Sequence, residues 1–280
     1  MARRSWGPIL ETAKAIVQSY DTPVTLRQLF YRLVSNQVLR NTRSDYNQLS
    51  THTAEARRDG MFPDLIDNMR WIHRAESWDG PRDALRALVV QYRRDRTEGQ
   101  EHTVYIGVEK AGMVPQLNLW FGDRGLPILP LGGYSSQTFT ADVAKDIQRQ
   151  GRPSVLLYAG DFDPSGEDIP RDFAERVKCF DVVERIALTP EQVDEYELPV
   201  AMGKETDSRA KSFAAKHGKL VQVELDALAP DVLRRLYEDA IARFLDVSTM
   251  LEVIDRELED RAALEALLEA VRRDEEGGVD

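Results

Sequence analysis

Three carboxylates stand where two apolar runs stop. PSVLLYAG (153–160) empties into DFDPSGEDI, with Asp161 and Asp163 two residues apart, and TVYIGV (103–108) is followed at once by Glu109. If both runs are strands of a parallel sheet, their ends can lie at one edge and the three acids converge there. Asp161 and Asp163, two apart on an extended stretch, face the same way. Like charges so placed repel and raise a pKa unless a cation joins them. Oxygen ligands with retained waters suit Mg2+, with Mn2+ as its substitute. Gly166 permits a tight turn into the following helix, whose N-terminus can receive a phosphate.

The elements around these acids alternate. After the strand at 103–108 come a helix-like AGMVPQLNLWFGDRG, a short strand in PILPLGG and a helix in SSQTFTADVAKDIQRQG. The strong strand at 153–160 follows, then a helix in DIPRDFAERVKCF and a strand at 182–188. This is the pattern of an α/β fold with a mainly parallel, Rossmann-like sheet. KLVQVELDAL adds a late strand, after which Glu224 and Asp226 read as caps of the following helix, with a place in the acidic edge as the alternative. PDVLRRLYEDAIARFL is an amphipathic helix with Val232, Leu236, Ile241 and Phe244 as core candidates, and the tail from Thr249 continues as a helical extension. Ser135 and Ser136 read as caps, and GKETDSRAKSF (203–213) reads as a solvated loop and helix start.

The first hundred residues read differently. PILETAKAIVQSY and LRQLFYRLVSNQVL are apolar-faced helices, the second capped by Thr25. A polar helix capped by Ser44 or Asp45 then carries Arg57 and Arg58. Two apolar helices followed by a polar one form a helix-turn-helix pattern, and MFPDLIDNMRWIHRAESW supplies a wing. Arg43, Arg57 and Arg58 are the candidate DNA contacts. Residues 81–102 read as a helix ending in a charged, Gly-containing connection, placing a boundary near residue 100 between domains at 1–100 and 101–280.

Charge divides at the same place. The net charge of −11 splits into +4 over residues 1–100, where Lys14 is the only lysine, and −15 beyond. Arginine's planar fork suits phosphate. The single Cys179 excludes an internal disulfide, and the four scattered histidines offer no metal spacing. No run is long and apolar enough for a membrane span, no secretory signal is expected from MARRSWGPIL, and no GxxxxGK[ST] motif occurs. A cytoplasmic, nucleoid-associated protein is expected.

VEK followed by DxDPxGxDI resembles the Toprim domain. The DFDPSGEDI form resembles in particular the A subunit of topoisomerase VI and its relatives, in the compact Mini-A form. The resemblance extends to TLRQLFYRLV, which is similar to the family's RxxYY motif with Arg27 on the arginine, Phe30 in place of the first tyrosine and Tyr31 on the second. It implies a winged-helix domain followed by a Toprim domain, with Mg2+ on Glu109, Asp161 and Asp163 and Glu167 as an extra ligand. It also implies that Tyr31 attacks DNA to leave a 5′-phosphotyrosyl link, with Arg27 and Glu109 beside it. A homodimer is implied, as is a separate ATPase B-type subunit. The residues themselves leave Tyr31 open between nucleophile and packing side chain. Two alternatives stand beside strand transfer: a Toprim nuclease using metal-activated water, and a non-catalytic DNA-binding subunit.

Overall fold

The computed structural model describes residues 5–66, 74–133, 135–202 and 207–277. Helices α1 (Gly7–Gln18), α2 (Leu26–Ser35) and α3 (Arg43–Arg58) enclose an apolar cluster in which Ala13, Leu29, Leu33 and Leu49 are fully buried. Thr25 opens α2 as expected, through a reciprocal box: the Gln28 N–H donates to Thr25 Oγ1 at 3.2 Å and the Thr25 N–H to Gln28 Oε1 at 2.9 Å. The cap of α3 is Thr42 rather than Ser44 or Asp45. Asp45 is buried and accepts from the Arg40 backbone N–H at 3.0 Å and its guanidinium at 3.2 Å, so it fastens the α2–α3 turn. The middle of the expected wing, residues 67–73, lies outside the described residues. Its described flanks carry one bridge, Thr25 with Ile66.

Beyond this segment, β1 (Thr103–Val108), β2 (Ile128–Pro130), β3 (Ser154–Ala159) and β4 (Val182–Ala187) form a parallel sheet in the order β2-β1-β3-β4. The fold is α/β. Every residue of β1 and β3 is buried, which is why both read as continuous apolar runs. Alternation still sorts their side chains. Val104, Ile106, Val108, Val155, Leu157 and Ala159 face a core completed by α5 (Val114–Phe121) and α10 (Pro230–Ile241). Tyr105, Leu156 and Tyr158 face α6 (Gln137–Gln150) and α7 (Pro164–Val177). The register sets Thr103 beside Ser154 and Val108 beside Ala159. Glu109 and Gly160–Asp161 therefore leave the sheet side by side.

The helix begun at Pro81 ends at Gln91 (α4), and residues 92–102 form the charged connection expected after it. The late strand shrinks to Val221–Gln222, antiparallel to Ala201–Met202, with a further bridge between Val223 and Phe162. The buried stripe of α10 is Leu233, Tyr237, Ala240 and Ile241; of the expected set Ile241 is buried, while Val232, Leu236 and Phe244 pack partly buried against the same core. Of GKETDSRAKSF, residues 203–206 lie outside the described residues, as does Tyr134; Asp207 and Arg209 pair at 2.8 Å.

The connection is irregular because a carboxylate claims its polar groups. Glu257, on the long α11 (Val247–Gly277), is 1 % exposed. It accepts from the Arg94 N–H at 3.1 Å, from Arg96 at 2.8 and 3.2 Å and from Arg261 at 3.0 Å. Hydrogen bonding to Arg96, against the upward push of burial, holds its pKa below the usual carboxylate value. No helix among the described residues is long and apolar enough to cross a membrane. Glu257→Ala strands Arg96 and should lower unfolding free energy by about 3 kcal/mol in urea titrations at pH 7. With a depressed native pKa, the stabilisation is present above the unfolded value of about 4.3 and lost below it. The gap between wild type and Glu257→Gln should therefore close as pH falls.

Candidate functional site

Glu109, one residue past β1, turns its carboxylate toward the loop after β3, where Oε2 accepts the Asp161 N–H at 2.8 Å. Asp163 is the N-cap of α7: its Oδ1 accepts from the Gly166 N–H at 2.7 Å and from Ser165 Oγ at 3.0 Å. Burial raises the pKa of Glu109, the Asp161 N–H opposes this, and the charge of Asp163 adds to it. The two carboxylates thus share one neighbourhood around Gly166. A Cβ at that glycine would lie 2.1 Å from the Asp161 carbonyl oxygen and 3.1 Å from Glu109 Oε2.

Asp161 takes a different direction. Its Oδ1 accepts from Lys110 Nζ at 2.8 Å and from the Leu225 N–H at 2.8 Å. Paired backbone bonds between Phe162 and Val223, at 2.8 and 3.0 Å, hold that loop against the 223–226 segment. Asp161 is nine-tenths buried or more; burial raises its pKa, Lys110 lowers it, and Glu109 and Glu224 push it up.

Glu224 and Asp226, expected as caps, cap nothing. Both bind cations: Lys110 Nζ donates to Glu224 Oε2 and, at 3.3 Å, to Asp226 Oδ2, while Arg27 meets Glu224 at 2.5 Å and Asp226 at 2.9 Å. Against the cost of burial, Asp226 and Glu224 raise the Arg27 pKa, and Asp226 and Asp161 raise that of Lys110. In turn Lys110 and Arg27 outweigh burial at Glu224 and hold it below the carboxylate range. Sequence reading did not single out Lys110, and it left Glu224 and Asp226 between cap and acidic edge. The lysine was visible in VEK, beside the rim acid, but Glu224 and Asp226 lie more than a hundred residues from it.

Arg27 carries the first helical segment into this cluster. Four residues on, Tyr31 lies half-buried between the apolar cluster of α1–α3 and that of the sheet, with the Arg27 guanidinium 5.8 Å from its ring centre. Burial, then the charge of Glu224, raise its pKa; Arg27 and Lys110 oppose them. Tyr31 lines a cleft of about 210 Å³ with Arg27, Asn41, Arg43 and Tyr46. Arg57 lines a neighbouring cleft beside Arg27 and Lys110, while Arg58 is exposed in the last turn of α3. Glu167 accepts from Lys216 at 3.2 Å and meets His217 at 2.9 Å.

The acidic loop is pinned from beneath by Arg185 of β4, which sequence reading did not single out. Its guanidinium donates to the carbonyls of Gly160 (3.1 Å), Asp161 (2.6 Å), Gly166 (2.6 Å) and Leu188 (2.9 Å). Among the described residues no three His, Cys, Asp or Glu side chains are grouped to hold a metal ion. Magnesium is commonly taken by one or two carboxylates, with water and substrate phosphate completing its shell. The oxygens of Glu109 and Asp163 fit such a donor set. Asp161, engaged by Lys110 and the Leu225 amide, fits it less well than its position in the sequence suggests.

No protein-family model matches this chain, and no curated protein matches its sequence. The geometry yields two expected outcomes. Lys110→Met leaves Asp161, Glu224 and Asp226 without their shared cation, so stability should fall by about 3 kcal/mol at pH 8. The loss should shrink at pH 5, where the stranded acids take up protons; both are read by urea unfolding. Gly166→Ala should displace the loop and remove divalent-ion binding, measured by calorimetric titration with Mn2+.

Proposed function

We propose that this chain breaks DNA strands in the manner of a topoisomerase VI A subunit, with Tyr31 as the nucleophile. The observation that carries this reading is the contact of Arg27 with Glu224 and Asp226. It lays the helix bearing Tyr31 against the 223–226 segment, whose two acids share Lys110 with Asp161 at the carboxyl end of β3. A parallel sheet in the order β2-β1-β3-β4, entered from a helical segment rich in arginine, supports the arrangement of a winged-helix domain and a Toprim domain.

The chemistry follows from the side chains. Tyr31 Oη attacks the phosphorus, the 3′ oxygen leaves and takes a proton, and a phosphotyrosyl ester replaces the phosphodiester without loss of bond energy. A phenol of pKa ~10 is a poor nucleophile at neutral pH. Burial makes it poorer here, so Arg27 and Lys110 are the groups that favour the phenolate. Glu109 and Asp163 would hold Mg2+, which when bound supplies positive charge to the phosphate and the departing oxygen. Arg43, next to Tyr31 in the smaller cleft, and Arg57 hold backbone phosphates. A homodimer and a separate ATPase subunit belong to the same proposal.

One observation favours a second reading. Tyr31 packs against two apolar clusters and its pKa is pushed upward, as suits a structural side chain. The chain would then be a nuclease in which a metal-activated water cleaves. Supercoiled DNA incubated with Mg2+ or Mn2+ and separated under denaturing conditions, with and without protease, distinguishes the two. Strand transfer predicts protein-linked DNA that Tyr31→Phe abolishes and Asp163→Ala reduces at least a hundredfold. Cleavage that survives Tyr31→Phe with no linked protein selects the nuclease, and no cleavage under either metal contradicts both.

A further inference from the structure

The cleft beside the one that holds Tyr31 has features beyond those the strand-breaking chemistry uses. It measures about 470 Å³, and its walls include Gln28, Tyr46, Ser50, Arg57, Met113 and Gln116. Gln116 is 2 % exposed; its Oε1 accepts from Gln28 Nε2 at 2.7 Å, while its own Nε2 has no partner among the described residues. A buried donor left unmade is costly, so this amide awaits an acceptor. Tyr46 gives the cleft an aromatic wall and is shared with the smaller cleft that holds Tyr31. Arg27 and Lys110 on its floor are neutralised by Asp226 and Glu224. Among the described residues Arg57 bonds the Thr53 carbonyl, at 3.3 Å, and meets no carboxylate.

An amide donor, an aromatic face and a guanidinium around a cavity of this size suit a ligand with a hydrogen-bonding heteroaromatic ring and a phosphate. We infer that the cleft seats one unpaired nucleotide, its base against Tyr46 and bonded by Gln116, its phosphate on Arg57. A paired base within a duplex presents no free face to such a cavity, so the nucleotide is single-stranded or extruded. The inference rests on the nucleic-acid reading of the site for its source, the substrate strand; a free nucleotide carries the same chemistry.

The test measures affinity of the full chain for a short labelled single strand, for a blunt duplex of the same sequence, and for free deoxynucleoside monophosphates. Wild type should prefer the single strand. Gln116→Leu should weaken single-strand binding about tenfold relative to duplex. Arg57→Ala, a half-buried position on α3 that serves should Gln116→Leu fail to fold, should weaken it similarly and lower the salt slope by about one. Monophosphate binding lost in the same variants upholds the cleft and assigns it to free nucleotide. Equal losses for strand and duplex, affinities unmoved by either substitution, or no binding of any of the three ligands overturns the inference. Affinity is read without cleavage, so a missing Tyr31 adduct leaves this result standing by itself.

Discussion

Two cations, Lys110 and Arg27, hold together the part of this molecule where three acids meet. Asp161, Glu224 and Asp226 surround the lysine, and Arg27 enters from another helical segment to share two of them. Buried charges are tolerated only when paired and hydrogen-bonded. The acids therefore require the cations, and the requirement fixes the pose of α2. Tyr31, four residues after Arg27, has its place set by an ion pair rather than by apolar packing alone. Removing either cation exposes the remaining carboxylates to one another, so this contact governs both stability and site geometry.

The sheet makes such a concentration of acids possible. Parallel strands with Val108 in register with Ala159 deliver Glu109 and Asp161 to one rim. The rim then divides. On one side Asp161, Glu224 and Asp226 are neutralised by the protein's own cations. On the other, Glu109 and Asp163 flank Gly166, and neither carboxylate meets a lysine or arginine in an ion pair among the described residues. Arg185, beneath both, locks the loop by taking four backbone carbonyls. A rim with one half self-neutralised and the other open suits a divalent ion accompanied by a phosphate, because the open half supplies two carboxylates and leaves remaining positions to the ligand.

Much of this was legible where the signal was local. The Thr25 cap, the two continuous apolar strands, the tight turn at Gly166 and the α/β alternation all rest on neighbouring residues, and each formed. What was not legible depends on partners far away in sequence. Glu224 and Asp226 looked like caps because nothing nearby identifies Arg27 as their counterion, 197 residues distant for Glu224. The charged connection after the helix begun at Pro81 was visible, but not what orders it: Glu257, more than 160 residues on, draws the Arg94 amide and the Arg96 side chain to α11. Asp161 and Asp163 were expected to point together, as residues two apart on a strand do. The Phe162–Val223 pairing and the helix beginning at Pro164 send them apart.

The most direct test of the open half of the rim is Mn2+ binding followed by electron paramagnetic resonance, with no DNA and no turnover. One ion per chain should bind to wild type and be lost in both Glu109→Gln and Asp163→Asn, with both variants folded by circular dichroism. Stoichiometric binding that persists unchanged in both variants, or a wild type that takes up no ion, contradicts the account.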